Sequence, residues 1–350
     1  MEQNGAGKPT ILKILTGIPI PTSGNIQISG KITGLFELGT GINPELSYKD
    51  KLMPKSKRKY NYISVVTPSF NQGVFLEETI SSVLSQEGDF FIDYIINDGG
   101  STDDSPSIIL KYEKLLKENC GVIEKRGLQY FVNKNNNFKW NNCSGISYRW
   151  VSQKDKGQTD AINKGFQIAT GDILAYINSD DVYSPHTFKK IFQVDWDKTD
   201  FTYGKGMWIA EKGQPLMLYP TFKPTKYSLF FQCTLCQPTV FIKKETYENM
   251  GCFSTEYHCI FDYEYWMRAI FNNKKFYYLN SLLAKSRMYF ANKSLLGEDT
   301  VKKEASLLHR KYYHKSRVEL NKLWLWINKK TVHKKTVRDV LRLKTLLDQN

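Results

Sequence analysis

Two adjacent aspartates, Asp180 and Asp181, follow an apolar run, Ile173-Leu174-Ala175-Tyr176-Ile177, with only Asn178-Ser179 between. Carboxylates are hard oxygen donors suited to Mg2+ or Mn2+. Such an ion neutralises the charge that grows on a departing diphosphate without needing a proton. As plain loop acids the same pair would cap a helix starting near Ser184-Pro185. A third acid, Asp98, closes a second apolar run, Ile92-Asp93-Tyr94-Ile95-Ile96, inside Asn97-Asp98-Gly99-Gly100-Ser101-Thr102-Asp103. There a carboxylate can accept hydrogen bonds from a base imide or a ribose hydroxyl. By spacing alone it is equally a turn residue or a helix N-cap.

These acids need strands that end at one edge. Ile63-Ser64-Val65-Val66-Thr67 has the β-branched, continuous apolar character of a buried parallel strand. Pro68-Ser69-Phe70-Asn71 breaks it, and a helix is predicted from Phe75 to Gln86. With Ile92–Ile96 this makes a βαβ unit, whose ligands bind beyond the carboxyl ends of the strands. Residues 113–147, with Asn133, Asn135, Asn136, Asn137, Asn141 and Asn142, fit no alternation and are expected to form mostly a surface insertion. Tyr148–Ser152 is a further strand, Asp155 to Gly165 a loop running into a helix, and Ile173–Ile177 the strand that brings Asn178–Asp181 to the same edge.

The chain of 350 residues is 41% hydrophobic, 24% charged and 14% aromatic, a globular composition rather than a disordered or fibrous one. No apolar run approaches the roughly 18 residues of a membrane span, and Met1–Gly5 lacks the basic and apolar regions of a secretory leader. Six cysteines without such a leader point to reduced thiols in a cytoplasm. Cys233, Cys236, Cys252 and Cys259 are too unevenly spaced for a zinc knuckle. His186 and His258 are expected as surface or packing residues. Of the net charge of +14, residues 301–350 hold 14 Lys+Arg against 4 Asp+Glu, or +10. A solvated tail explains this, as does attraction to an anionic partner.

Gly5-Ala6-Gly7-Lys8-Pro9-Thr10 has the outline of a phosphate-binding P-loop, but Pro9 stands where a magnesium-holding hydroxyl belongs. Together with Leu38-Gly39-Thr40-Gly41-Ile42-Asn43-Pro44 it resembles the ATPase subunit of ABC-type polysaccharide exporters, over about residues 1–48. No later ATPase motif follows it. Residues 1–50 are therefore expected to be a truncated fragment, 51–61 a basic linker, 62–298 the catalytic domain and 299–350 a basic helical extension. The fragment's company suggests export of surface polysaccharide.

Thr67-Pro68-Ser69-Phe70-Asn71, Asp98 to Asp103, Asp155-Lys156-Gly157 through Lys164-Gly165, and Asn178-Ser179-Asp180-Asp181 resemble, in order and spacing, family 2 glycosyltransferases over about residues 60–295. The resemblance implies an α/β, GT-A fold: a Rossmann-like, mostly parallel central sheet flanked by helices. It implies an inverting transfer from a nucleotide-diphosphate sugar, UDP-sugars favoured, to a saccharide or lipid-linked acceptor. The donor would meet Thr67, Pro68, Phe70, Asn71, Asp98, Asp155, Asp160, Lys164, Ser179 and Asp180. A divalent Mn2+ or Mg2+ would rest on Asp180 with Asp181 in support, because Asn178 replaces the family's first motif acid. Ile162 stands where many relatives have arginine.

Phe261-Asp262-Tyr263-Glu264-Tyr265-Trp266-Met267-Arg268 resembles the family's acidic helix start, with Phe261 in place of its Glu. That makes Asp262 the candidate base, expected to be buried beside Phe261 and Trp266 with its pKa raised; it also suits a helix N-cap. Gln237, Trp266, Arg268 and Arg287 are candidates on the acceptor or phosphate side, with Lys293 beside them, and Tyr289 stands where relatives often place histidine. Leu320, Leu323, Trp324 and Ile327 share one face if their stretch is helical, flanked by Lys322, Lys329 and Lys330. Such a face suits peripheral contact with an anionic membrane or packing on the catalytic domain. No nucleic acid is expected, and the location implied is cytoplasmic, at the inner membrane face. The rivals to an active transferase are a nucleotide-sugar-binding pseudoenzyme, motivated by Asn178, Phe261 and Tyr289, and an ATPase subunit.

Overall fold

The structure, a computed structural model, describes residues 60–134, 138–140, 142–289 and 298–313. The P-loop-like fragment, Asn135–Asn137, Asn141, Lys293 and the Leu320–Lys330 stripe lie outside the described residues. Every described element belongs to the unit Met53–Asn350.

This unit opens with β1 (Tyr62–Ser69), α1 (Gly73–Leu84) and β2 (Gly88–Asp98). Next come α2 (Ser105–Asn119), β3 (Cys120–Lys125), β4 (Leu128–Asn133), β5 (Cys143–Ser152), α3 (Gln158–Gln167) and β6 (Ile173–Tyr176). They are followed by β7 (Val182–Tyr183), α4 (Thr187–Ile191), β8 (Phe201–Ala210), β9 (Pro215–Leu218) and α5 (Lys226–Phe231). The last elements are β10 (Phe241–Lys243), α6 (Lys244–Met250), α7 (Phe261–Phe271), β11 (Phe276–Met288) and α8 (Glu298–Tyr313).

The strands form one sheet in the order β3-β4-β5-β2-β1-β6-β10-β8-β11-β7, with β9 on β8. Its centre, β5-β2-β1-β6, is parallel, because α1 and α3 each carry the chain back across the sheet between strands. The margins add antiparallel pairs. On one face Ile63, Val65, Ile92, Tyr94 and Ile96 pack with Ile80 and Val83 of α1 and Ile109 of α2. On the other, Val66 and Ile95 meet Ile162 and Phe166 of α3 and Tyr265 and Trp266 of α7. Cover on both faces is why these strands read as unbroken apolar runs. Each fully buried aliphatic side chain contributes about 1.5–3 kcal/mol. Asp93, fully buried within β2, is matched by Arg149 at 2.6 Å, the Ser64 hydroxyl at 2.7 Å and the Thr170 amide at 2.9 Å.

Two sequence expectations need correction. The segment 113–147 is not mainly a surface insertion: β3 and β4 pair as a hairpin, and β4 adds to β5 through Phe131 opposite Ile146. Tyr130 and Phe131 are buried, a short strand signal masked by the neighbouring asparagines. The helix expected at Ser184-Pro185 starts at Thr187, because His186 adopts a left-handed φ of 60° just before it. The stretch beyond 298 begins as α8, which packs on α7 with Leu308 and His309 buried. Among the described residues no helix is long and apolar enough to cross a membrane.

The register aligns the functional ends. Ser69 lies opposite Asp98, and Asp98 opposite Ser152. On the other side of β1, Val66 pairs with Tyr176, and the Ile177 amide donates to the Val66 carbonyl at 3.0 Å. The chain moves to opposite sides of β1 here, the switch point at which such sheets bind ligands.

Candidate active site

A cavity of about 890 Å³ opens at this edge. Its first end is made by the turns after β1, β2 and β5. Asn71, at φ 51°, donates its amide to the Ser101 hydroxyl (2.8 Å) and accepts from the Thr102 amide (2.9 Å). The Gly73 amide donates to Asp103 at 2.8 Å, so the two turns are stitched together. Asp98, 1% exposed, accepts from the Ser101 amide at 2.9 Å, from the Ser152 hydroxyl at 2.6 Å and from the Ser101 hydroxyl. Its carboxylate shapes the Gly99 turn from within and is not on the cavity wall.

Gly99 is on the wall, with Phe70 and Asp155 to either side. A Cβ on Gly99 would stand 3.1 Å from Asp155 Oδ2 and 3.3 Å from the Phe70 ring. The missing side chain leaves a slot between an exposed aromatic ring and a carboxylate. That slot suits a flat base with polar edges. Asp155 is itself held by the Gly157 amide at 2.8 Å.

The acidic loop forms the middle. The Thr79 hydroxyl of α1 sits 2.9 and 2.7 Å from the carbonyls of Ser179 and Asp181. Asp181 is buried and accepts from the Arg287 amide at 2.9 Å. Asp180 accepts from the Tyr289 hydroxyl at 3.0 Å. Burial holds both carboxyls above the usual range, and the neighbouring Asp180 charge pushes Asp181 further. Two desolvated acids side by side favour a cation between them and solvent.

Asn178, where a third acid would have added to that repulsion, carries a row of neutral amides. Gln158 Nε2 donates to Asn178 Oδ1 at 2.7 Å, and Asn178 Nδ2 lies 3.4 Å from Gln237 Oε1. Gln237 Nε2 in turn donates to the Tyr176 carbonyl at 2.9 Å.

The far end holds Asp262 in the first turn of α7, among Trp208, Tyr219, Pro238 and Phe261. It is half-buried rather than buried, because it faces the cavity. Its Oδ1 accepts from the Tyr263 amide at 2.7 Å. The helix N-cap is Ile260, so Asp262 does not cap it. Burial, then the charge of Asp262, raises the Tyr176 hydroxyl and the Cys233 thiol, which line the same space.

Pro68, Phe70, Asp155, Ser179, Asp180, Asp181, Gln237 and Asp262 thus share one cavity wall. Other candidates do not reach it. Thr67 is fully buried, 3.0 Å from the Tyr94 hydroxyl. Asp160 and Lys164 pair with each other at 2.8 Å along α3. Asn71 and Asp98 serve the turns. Trp266 is in the core, one helical turn deeper than Asp262. Arg268 donates to the Met250 and Cys252 carbonyls and to Glu264.

Arg287, 2% exposed, is a brace rather than a phosphate ligand. It donates to the carbonyls of Asp180 (2.9 Å) and Glu211 (2.5 Å) and to the Glu78 carboxylate. Sequence reasoning missed Gln158, Trp208 and Tyr219. Gln158 stood inside a noted motif, one residue past its Gly157.

The family model for glycosyl transferase family 2 matches residues 64–142 and 131–242, about half of the chain. An uncharacterized glycosyltransferase of Nostoc sp. is 28% identical over 132 residues, 38% of this chain and 32% of that one. The O-antigen export system ATP-binding protein RfbB of Myxococcus xanthus is 47% identical over 51 residues, 15% of this chain and 12% of its own length. The chain therefore spans a third or less of these two relatives. S. aureus TarS 1-349 in complex with UDP-GlcNAc superposes with a TM-score of 0.50 and 17% identity, over 72% of this chain and 67% of that one. At that identity the likeness concerns the GT-A fold.

Proposed function

The chain belongs to glycosyl transferase family 2, and from that premise we propose that it moves a sugar, with inversion, from a nucleotide-diphosphate donor to an acceptor hydroxyl. UDP-sugars are the favoured donors, and the acceptor is a saccharide or lipid-linked glycan of surface polysaccharide. One observation carries this reading: a single cavity runs from the Phe70–Gly99–Asp155 slot past Asp180 and Asp181 to Asp262.

In this reading the base of the donor enters the slot and the diphosphate lies along the acidic loop. Asp262 takes the proton of the acceptor hydroxyl as its oxygen bonds to the anomeric carbon. The bond from that carbon to the diphosphate oxygen breaks on the opposite face, and the nucleoside diphosphate leaves with the electron pair. The hard oxygens of Asp180, supported by Asp181, fit a divalent Mn2+ or Mg2+, which when bound neutralises charge on the diphosphate. Asp180 is the better placed of the two, since it is only partly buried while Asp181 is 2% exposed and accepts from the Arg287 backbone amide.

The polysaccharide setting is supported by the short match to an O-antigen export protein. A lipid-linked acceptor would suit action at the cytoplasmic membrane face, with the basic stretch of residues 301–350 as the surface contact. A thermal-shift panel of UDP-GlcNAc, UDP-glucose, UDP-galactose and GDP-mannose, with and without Mn2+, tests the reading. A true donor at 100 times its Kd stabilises by about 2.7 kcal/mol. No shift with any nucleotide sugar in the presence of Mn2+ removes it.

A further inference from the structure

Helix α7 has no side-chain cap of its own at Ile260. The three amides leading into it are instead taken by one carboxylate from another helix. Glu304 of α8 accepts from the His258 amide at 2.7 Å through Oε1. Through Oε2 it accepts from the Cys259 amide at 3.0 Å and the Ile260 amide at 3.2 Å. Glu304 is only 6% exposed, so backbone N–H groups stand in for its water. An anion at this end of α7 is also favoured by the helix dipole.

The grip is double. Glu264 of α7, 1% exposed, accepts from the Tyr312 hydroxyl of α8 at 2.9 Å. Val301 and Ala305, on the same helix as Glu304, reach the cavity wall, while Glu304 does not. The last amide held by Glu304 lies two residues before Asp262, whose Oδ1 is fixed to the Tyr263 amide of the same turn. Any displacement of that turn is handed directly to the Asp262 carboxylate.

We propose that Glu304 is a positioning residue for the transfer: by holding the amides of His258, Cys259 and Ile260 it sets where Asp262 stands in the cavity. The inference rests on Asp262 being the base. No proton or bond change passes through Glu304; its contribution is to keep the reacting oxygen within reach of the acceptor, where a small misplacement costs as much as about 100-fold in rate.

The test uses the full chain with Glu304→Gln, Glu304→Asp and, as reference, Asp262→Asn. Glutamine keeps the shape but offers one acceptor oxygen and turns an N–H toward the amides. Aspartate keeps the charge on a shorter arm. Hydrogen exchange at residues 258–260 should rise about 10-fold in Glu304→Gln, the equivalent of one lost hydrogen bond. Turnover of the donor found by thermal shift should fall by roughly 10- to 100-fold while UDP affinity stays within about two-fold. Glu304→Asp should recover part of that turnover and carries the test if the glutamine variant does not fold. Unchanged exchange, or lower melting temperature with unchanged kcat, overturns the proposal. Retained turnover in Asp262→Asn instead removes the base assignment, whereas the exchange data still report whether Glu304 holds the turn.

Discussion

The Tyr289 hydroxyl donates to Asp180 Oδ2 across 3.0 Å, joining the chain just beyond β11 to the acidic loop after β6. Gln72 completes the contact, its side-chain amide 3.2 Å from the same hydroxyl. The phenol therefore orients the carboxylate that the reading assigns to the metal.

Replacing Asp180 by asparagine should raise the melting temperature of the metal-free protein at pH 7 and abolish Mn2+-dependent UDP binding. Burial raises the Asp180 pKa above its unfolded value, so its ionisation opposes folding at neutral pH. The gain should shrink as pH falls toward about 4, where the unfolded carboxyl is itself protonated. Calorimetric melts at pH 4, 5.5 and 7 check the sign; a gain that grows on acidification contradicts it.

Asp262→Asn should lose at least about 100-fold in turnover, the usual range for a missing general base. UDP affinity should be unchanged, because the slot for the base lies at the other end of the cavity. Single-turnover kinetics with the identified donor decide, and more than a tenth of wild-type rate remaining would be too much.

Gly99→Ala should weaken UDP binding by about 10-fold or more, since a methyl group fills the gap between Phe70 and Asp155. Titration calorimetry with UDP reads the loss directly. Full affinity in this variant would move the base elsewhere.

Arg287→Ala should destabilise the fold by about 2–4 kcal/mol, because a buried guanidinium that braces the Asp180 and Glu211 carbonyls is removed. Urea unfolding measures this. A change below about 0.5 kcal/mol, the range of ordinary surface substitutions, would deny the brace.

Much of the catalytic edge was legible from the residues. β1, β2 and β6 are buried on both faces, which writes them as continuous apolar runs, and the acids after them fall at strand ends. Arg287 was read as a phosphate partner because a sequence displays its charge but not the Glu78 carboxylate and Glu211 carbonyl, which take up its donors from distant elements. Trp266 was a candidate because it lies in the motif that carries Asp262, yet one turn of depth takes it into the core. Asp98 stands at its expected strand end, but its partners are hydroxyls and an amide of neighbouring turns, which spacing does not reveal. Glu304 left no signal at all: the amides it holds lie 44 to 46 residues upstream and have no side-chain identity.

The wall contributed by Val301 and Ala305 also sets an order of events during synthesis. The sheet, the acidic loop and the Phe70 slot are all encoded before α8 leaves the ribosome. A nascent chain can therefore build the half of the cavity proposed to take the donor while the mouth beside Asp262 still lacks one side. In the proposed reading, commitment to transfer comes with the last described helix, so a chain cut short before residue 298 would keep the Phe70–Gly99–Asp155 slot with nothing to aim Asp262.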